Sequence, residues 1–260
     1  MTTTRKSSSV AKAFELIQVI ADGGPDGVGL QDLAARAQVA VSTAHRYVTS
    51  LLDLGVVERD GAGVYRLGVG LVRLAGQYLE EDVLLRVAHP YLVELAGVSG
   101  ETAHLGVPIG DHIVYVDKVE SDQSVRLVSR IGSEVPLHCT SMGKALLSLM
   151  PPDERAARLA GDLARPTPKT LFGDSLAAEL ERVREQGYAL DDEENELGVR
   201  CIGLPIVNAS GEPVAAFSVS APASRFTADA CHDLAPTALR IAHEIGAALG
   251  YAGATRRNAG

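Results

Sequence analysis

The chain has 260 residues, 46% of them hydrophobic and 22% charged, with 26 glycines and 12 prolines; this is ordinary globular composition and excludes the fibrous and disordered classes. No apolar run approaches the roughly 18 residues of a membrane span, and MTTTRKSSSV has a basic pair with no apolar signal core behind it, so a cytoplasmic location with no membrane partner is expected. The formal charge of -9 is unevenly placed: residues 1–80 hold eight basic and eight acidic groups, so the acidic excess belongs to the C-terminal part.

The length suits two domains at roughly 100 to 200 residues each. Cys139, Cys201 and Cys231 share no metal-type spacing and leave one odd in any pairing, which fits a reducing compartment. From Val10 to Ala21 the residues Val10, Ala13, Phe14, Ile17 and Ile20 recur at helical spacing, with Ser9 as the expected N-cap. ADGGPDGVG reads as a loop, after which Leu30, Leu33, Ala34 and Ala37 mark a short second helix and Gln38 to Ala40 a tight break. A third helix is expected from Val41 to Leu54, with Ala44, Val48 and Leu51 inward and Ser42, Thr43, His45, Arg46, Thr49 and Ser50 outward.

Two short helices around a three-residue turn match a helix-turn-helix, whose second helix enters the DNA major groove. Small polar residues at its start permit close approach to bases, and His45 and Arg46 can reach phosphates or guanine edges. VVERDGAGVYRLG then reads as a hairpin whose turn is flanked by Arg59 and Arg66, completing a winged helix-turn-helix over residues 8–68. The expected DNA-facing set is Ser42, Thr43, His45, Arg46, Thr49, Arg59 and Arg66.

The stretch AARAQVAVSTAHRYVTSLLDLGVVERDGAGVYRLG, followed by GKALL, RCIGLPIVNASGEPVAAFSVS and a final amphipathic helix, resembles the IclR family of transcription regulators over nearly the whole chain. It departs from the family habit at three places: Gln38 stands where glycine is common, Ala40 where proline is common, and Val41 where a basic residue is common. The resemblance implies a homodimer, or a dimer of dimers, on a palindromic double-stranded operator.

Residues 69–81 carry Leu71, Leu74, Ala75 and Leu79 on one helical stripe, which reads either as a linker helix that contributes to the dimer or as one packed on its own domain. Residues 82–253 begin with a helix to Val98 and continue as ETAHLGV, HIVYVDKV and SVRLVS, read as adjacent antiparallel strands. TSMGKALLSLM is a helix, with more helix near residues 153–159 and 175–186. The strands YALDD, CIGLPIV and VAAFSVSAP follow, then a last helix from about Thr227 to Tyr251. The overall class is α+β, and the resemblance implies a GAF-like effector-binding domain.

Ser141, Met142 and Gly143 open a helix whose free N–H groups can receive a carboxylate. Ser218 and Ser220 share one face of a strand, while Asp191 and Cys201 lie where two strands meet across the loop DDEENE. The resemblance implies that Ser141, Met142, Asp191, Cys201, Ser218 and Ser220 contact a small anionic metabolite, with Leu127 and Val135 as an apolar wall. SMGKAL lacks the upstream glycines of a phosphate loop and there is no nucleophile elbow or HExxH, so no catalytic residue, resident metal or cofactor is expected. The competing reading is a thiol or redox enzyme on a GAF-like fold using Cys139 and Cys201. Repressor and activator are equally compatible with the sequence.

Overall fold

The computed structural model describes residues 8–251 and divides after Asp82 into two compact units. Arg5 and Lys6, counted above among the basic groups, and the last two residues of the 82–253 segment lie outside the described residues.

In the first unit α1 spans Ser9–Asp22, and the cap is Ser8 rather than Ser9: its hydroxyl accepts the Ala11 N–H at 3.1 Å. Leu16 and Ile20 are the buried residues of α1, whereas Val10 and Phe14 are 66% and 67% exposed. At about 100° per residue Phe14 lies roughly 160° around the helix from Leu16, so the expected stripe falls partly on the outer face. α2 (Leu30–Arg36) and α3 (Val41–Asp53) follow, with Ala44, Val48 and Leu51 inward as expected. They close on Leu16, Ile20, Leu33 and Tyr65 to form the core of this unit.

The hairpin is β2 (Val57–Arg59) and β3 (Val64–Leu67), paired antiparallel. The segment read as loop contributes a further strand, β1 (Val28–Gly29), giving the order β1-β3-β2. Its two residues are too few for an alternation signal. α4 covers Val69–Glu81, with Val69, Val72 and Leu74 more than half exposed and Leu79 less so.

The turn between α2 and α3 holds Gln38 at φ 51°, the left-handed region where a Cβ is unfavourable by about 1–2 kcal/mol. Glycine, common at this place in the resembled family, has no such penalty. Gln38→Gly is expected to stabilise the first unit by about 1 kcal/mol, since relief of the strain outweighs the added freedom of the unfolded chain. A urea titration followed on this unit checks it; an unchanged or lower midpoint would remove strain as the explanation.

The second unit is a six-stranded antiparallel sheet in the order β6-β5-β4-β9-β8-β7. Its strands are β4 (Thr102–Ile109), β5 (His112–Val119), β6 (Glu134–Pro136), β7 (Ala189–Asp192), β8 (Val199–Val207) and β9 (Pro213–Pro222). One face packs on α5 (Val83–Ser99) and α9 (Ala228–Ala248) through Leu92, Leu105, Ile202, Phe217 and Ile241. The other carries α6 (Ser141–Leu149) and α8 (Gly173–Gln186), sharing Ile113, Met142, Leu146, Leu176 and Ala216; the short α7 (Pro152–Arg158) lies between them in sequence. This is the α+β layering expected.

One strand reading is corrected. Residues 124–129 (SVRLVS) form no strand, because β6 pairs with β5 in their place. Their carbonyls are held by side chains instead of a ladder: Arg225 Nη1 donates to Val125 O at 2.7 Å and Lys118 Nζ to Ser129 O at 2.6 Å. Among the described residues no helix is long and apolar enough to cross a membrane.

Candidate functional sites

On α3 the side chains of Ser42, His45, Arg46 and Thr49 are exposed on one face and Thr43 is half-buried. Thr49 Oγ1 donates to His45 O at 2.8 Å, which fixes that hydroxyl on the helix surface. Arg46 lies over the Tyr47 ring at 5.3 Å, and Arg59, on β2, over Tyr65 at 5.5 Å. Aromatic support of this kind limits the rotamers of a long cation without using up its N–H donors. Arg66 differs. Its guanidinium donates to Asp60 Oδ2 at 2.6 Å, Pro25 O at 2.9 Å and Asp26 O at 3.2 Å. Asp60 in turn accepts the Ala62 and Val64 N–H groups, each at 2.9 Å, so Arg66 ties the hairpin turn to the segment before β1. A cation expected on the outer face thus has most of its donors directed inward.

In the second unit the expected effector residues come together. Leu127, Val135, Ser141, Met142, Asp191, Cys201, Ser218 and Ser220 all line one cavity of about 170 Å³. Strand register explains four of them: Asp191 pairs with Cys201 and Cys201 with Ser220 across β7, β8 and β9, and Ser218 follows two residues before Ser220 on the same face. The two serine hydroxyls are 3.5 Å apart.

The start of α6 lies against this face. Its N-cap is Thr140, whose Oγ1 donates to Pro136 O at 2.7 Å and accepts the Gly143 N–H at 3.2 Å. Ser141 is therefore the first helical residue, its hydroxyl is not needed for capping, and the Ser141 and Met142 N–H groups have no intrahelical acceptor. Gly203 on β8 makes the approach possible: a Cβ there would stand 2.5 Å from Met142 N and 2.7 Å from Ser141 Oγ. Position 143 is equally confined, since a Cβ would meet Leu137 O at 1.9 Å.

Asp191 is buried, and Glu194 N and Asn195 N donate to its Oδ1 at 2.8 and 3.3 Å. Burial nevertheless dominates and pushes its pKa up to about 7, because no cation compensates fully for the lost water. Burial likewise lifts Cys139 to about 12 and Cys201 well above its ordinary value. Thiols held protonated in this way are poor nucleophiles, which argues against the thiol-enzyme reading.

The sequence reading missed several lining residues, among them Tyr115, Ser129, Thr140, Asn195 and Glu196. Tyr115 stacks on the buried His104 with ring centroids 4.7 Å apart, and His104 Nε2 lies 2.8 Å from Ser129 Oγ. Burial draws His104 down to about 4, so it is neutral and acts as a fixed hydrogen-bonding partner. The alternation of Ile113 and Tyr115 on β5 could have placed Tyr115 on this face; no local signal marks Asn195. Within DDEENE, Asp191 is not alone in facing inward: Glu194 is buried on a fully buried Lys144. Among the described residues no group of three histidine, cysteine or carboxylate side chains is placed to hold a metal.

Two family models match this chain: the IclR helix-turn-helix domain over residues 9–61 and the bacterial transcriptional regulator IclR C-terminal over residues 76–247. The HTH-type transcriptional regulator KdgR of Escherichia coli is 35% identical over 247 residues, covering 94% of this chain and 93% of the relative. The crystal structure of the Thermotoga maritima IclR, 36% identical, aligns with a TM-score of 0.75 over 93% of this chain and 98% of its own. An IclR homolog from Microbacterium hydrocarbonoxydans, solved complexed with 4-hydroxybenzoate, is 25% identical with a TM-score of 0.78 over 93% of this chain and 99% of its own. With a DNA-reading unit of helix-turn-helix type and matches that span both units, the chain belongs to the IclR family of bacterial transcriptional regulators.

Proposed function

We propose that this regulator binds a palindromic operator as a homodimer, or a dimer of dimers, and that a small carboxylic acid in the 170 Å³ cavity changes its operator affinity. The observation that carries the ligand reading is the convergence of eight expected residues on one cavity, among them Ser141 and Met142 at the start of α6 and the buried Asp191. The amides and helix dipole suit a carboxylate, and Asp191 with Ser218 and Ser220 suits hydroxyl or keto oxygens. The volume lies below the roughly 300–1,000 Å³ of drug-sized sites, which favours a compact metabolite. The homolog solved with 4-hydroxybenzoate, itself a small hydroxylated acid, supports the same class. The exposed apolar residues of α1 and α4, Phe14, Val69, Val72 and Leu74, support self-association. A reducing, cytoplasmic setting fits the three free buried cysteines.

Ser42, Thr43, His45, Arg46, Thr49 and Arg59 form the proposed DNA-facing set, with Arg66 acting through the hairpin it holds. Coupling requires that the acid bind one dimer geometry more tightly than another. The test is a thermal-shift screen of small carboxylic acids, with Ser220→Ala and Asp191→Ala as controls. A hit that both controls lose, and that alters a gel shift, is the expected result; hits indifferent to both controls would move the ligand elsewhere. On the DNA side, Arg46→Ala is expected to weaken operator binding about tenfold and to flatten its salt dependence by one phosphate contact. An unaltered gel shift across salt concentrations would remove Arg46 from the interface.

A further inference from the structure

His104 and Lys118 stand opposite each other across β4 and β5, and both reach Ser129 on the segment that forms no strand. Lys118 Nζ donates to Ser129 O at 2.6 Å, and His104 Nε2 lies 2.8 Å from Ser129 Oγ. Ser129 is thereby held at its carbonyl and at its hydroxyl. His104 is also paired with Ser218 of β9, and directly opposed residues of antiparallel strands share a face, so its ring rises from the cavity face of the sheet. The hydroxyl that meets this ring lies on the same face, and the half-buried Ser129 lines the cavity with Leu127, Val128 and Tyr115.

The direction of the His104–Ser129 hydrogen bond decides what this hydroxyl can do. Burial, with the charge of Lys118 added to it, keeps His104 neutral, so one ring nitrogen carries a proton and the other a lone pair. Nδ1 is enclosed and has no partner. A proton there would be an orphaned buried N–H, which folded chains rarely contain, whereas an unpaired acceptor costs less. The proton therefore sits on Nε2 and is donated to Ser129 Oγ. The ring cannot then accept the Ser129 O–H, and among the described residues that O–H has no other acceptor. Stacking on Tyr115, with ring centroids 4.7 Å apart, holds the imidazole in place.

We propose, on the acid reading of this cavity, that Ser129 is a further ligand-contacting residue whose O–H donates to an oxygen of the bound acid, and that His104 is the positioning residue that fixes this direction.

One test needs no ligand. Imidazole nitrogen NMR of the isotope-labelled full chain, with the His104 signals identified by their loss in His104→Gln, is expected to show Nε2 protonated and Nδ1 bare; the opposite tautomer would overturn the proposal. The other is isothermal titration of the full chain with pyruvate, lactate and glycerate. Ser129→Ala is expected to bind the tightest of them about tenfold more weakly, and His104→Leu to lose a similar factor. His104→Gln, whose amide N–H can replace Nε2–H, should stay within about threefold of the parent, a rescue that a role in packing alone would not give. Ser129→Ala combined with His104→Leu should be no weaker than either change alone, because both remove one hydrogen bond. Near-UV circular dichroism checks folding; if His104→Leu does not fold, Ser129→Ala and the tautomer decide. Full affinity in Ser129→Ala sinks this proposal and leaves the acid reading standing, whereas a parent chain that binds none of these acids sinks both.

Discussion

Gly203→Ala is expected to weaken binding of the small acid by tenfold or more and to destabilise the second unit by about 1–3 kcal/mol, the usual range for overpacking a tight core. The added methyl would lie 2.5 Å from both Met142 N and Ser141 C, which are backbone atoms that cannot rotate away. Either α6 withdraws from β8 or the sheet bends, and both displace the amides proposed to hold the carboxylate. Gly97→Ala on α5 is the matched control, because nothing lies within 4 Å of its added methyl. In that helix alanine should be neutral or stabilising by up to about 1 kcal/mol. Paired melts and ligand titrations check both variants. Native-like affinity in Gly203→Ala would show that the start of α6 does not seat the acid.

The same glycine shows what the sequence could and could not reveal. Period-two and period-3.6 patterns located every long helix and most strands, because burying one face is a local demand that each segment meets on its own. The register Asp191, Cys201, Ser220 was accessible in outline for that reason, since these residues sit on strands whose inward faces alternate. What a segment does with its neighbours was less legible. Leu127 and Val128 looked like strand residues, but their segment is held by Arg225 and Lys118 from other parts of the chain. Gly203 reads as one more apolar strand position until α6 is placed on it. Gly143 reads as one of three free N–H groups at a helix start and Lys144 as part of a failed phosphate loop. Yet the Gly143 N–H is taken by the Thr140 cap, its missing side chain makes room for Leu137 O, and Lys144 anchors the acidic loop through Glu194. On α1 the buried face depended on which residue centres it, and Leu16 rather than Phe14 fits the space left by α3 and the hairpin.

Asp191 should make both stability and acid binding depend on pH near neutrality. Its pKa is about 7 in the folded chain against an ordinary value near 4, and burial is the principal cause. The folded state therefore keeps a proton that the unfolded chain releases. Stability falls as pH rises from about 4 to about 7 and then levels, by up to about 4 kcal/mol at 1.36 kcal/mol per unit. Asp191→Asn removes that decline while its amide oxygen can still accept the Glu194 N–H. The variant is expected to match the parent near pH 4 and to exceed it by a few kcal/mol at pH 8. Acid affinity should also drop in the parent above pH 7, where a second negative charge enters a cavity already holding a carboxylate, and stay level in Asp191→Asn. Cys139, Cys201 and Tyr115 are pushed upward by burial and His104 is drawn down to about 4, so none of them changes charge between pH 6 and 8. Glu194 is also raised by burial, and the comparison of parent with Asp191→Asn separates its contribution. Denaturation and titration series at pH 4, 6, 7 and 8 decide the matter: parallel curves for the two proteins would mean that Asp191 is ionised throughout and that its two backbone hydrogen bonds outweigh its burial.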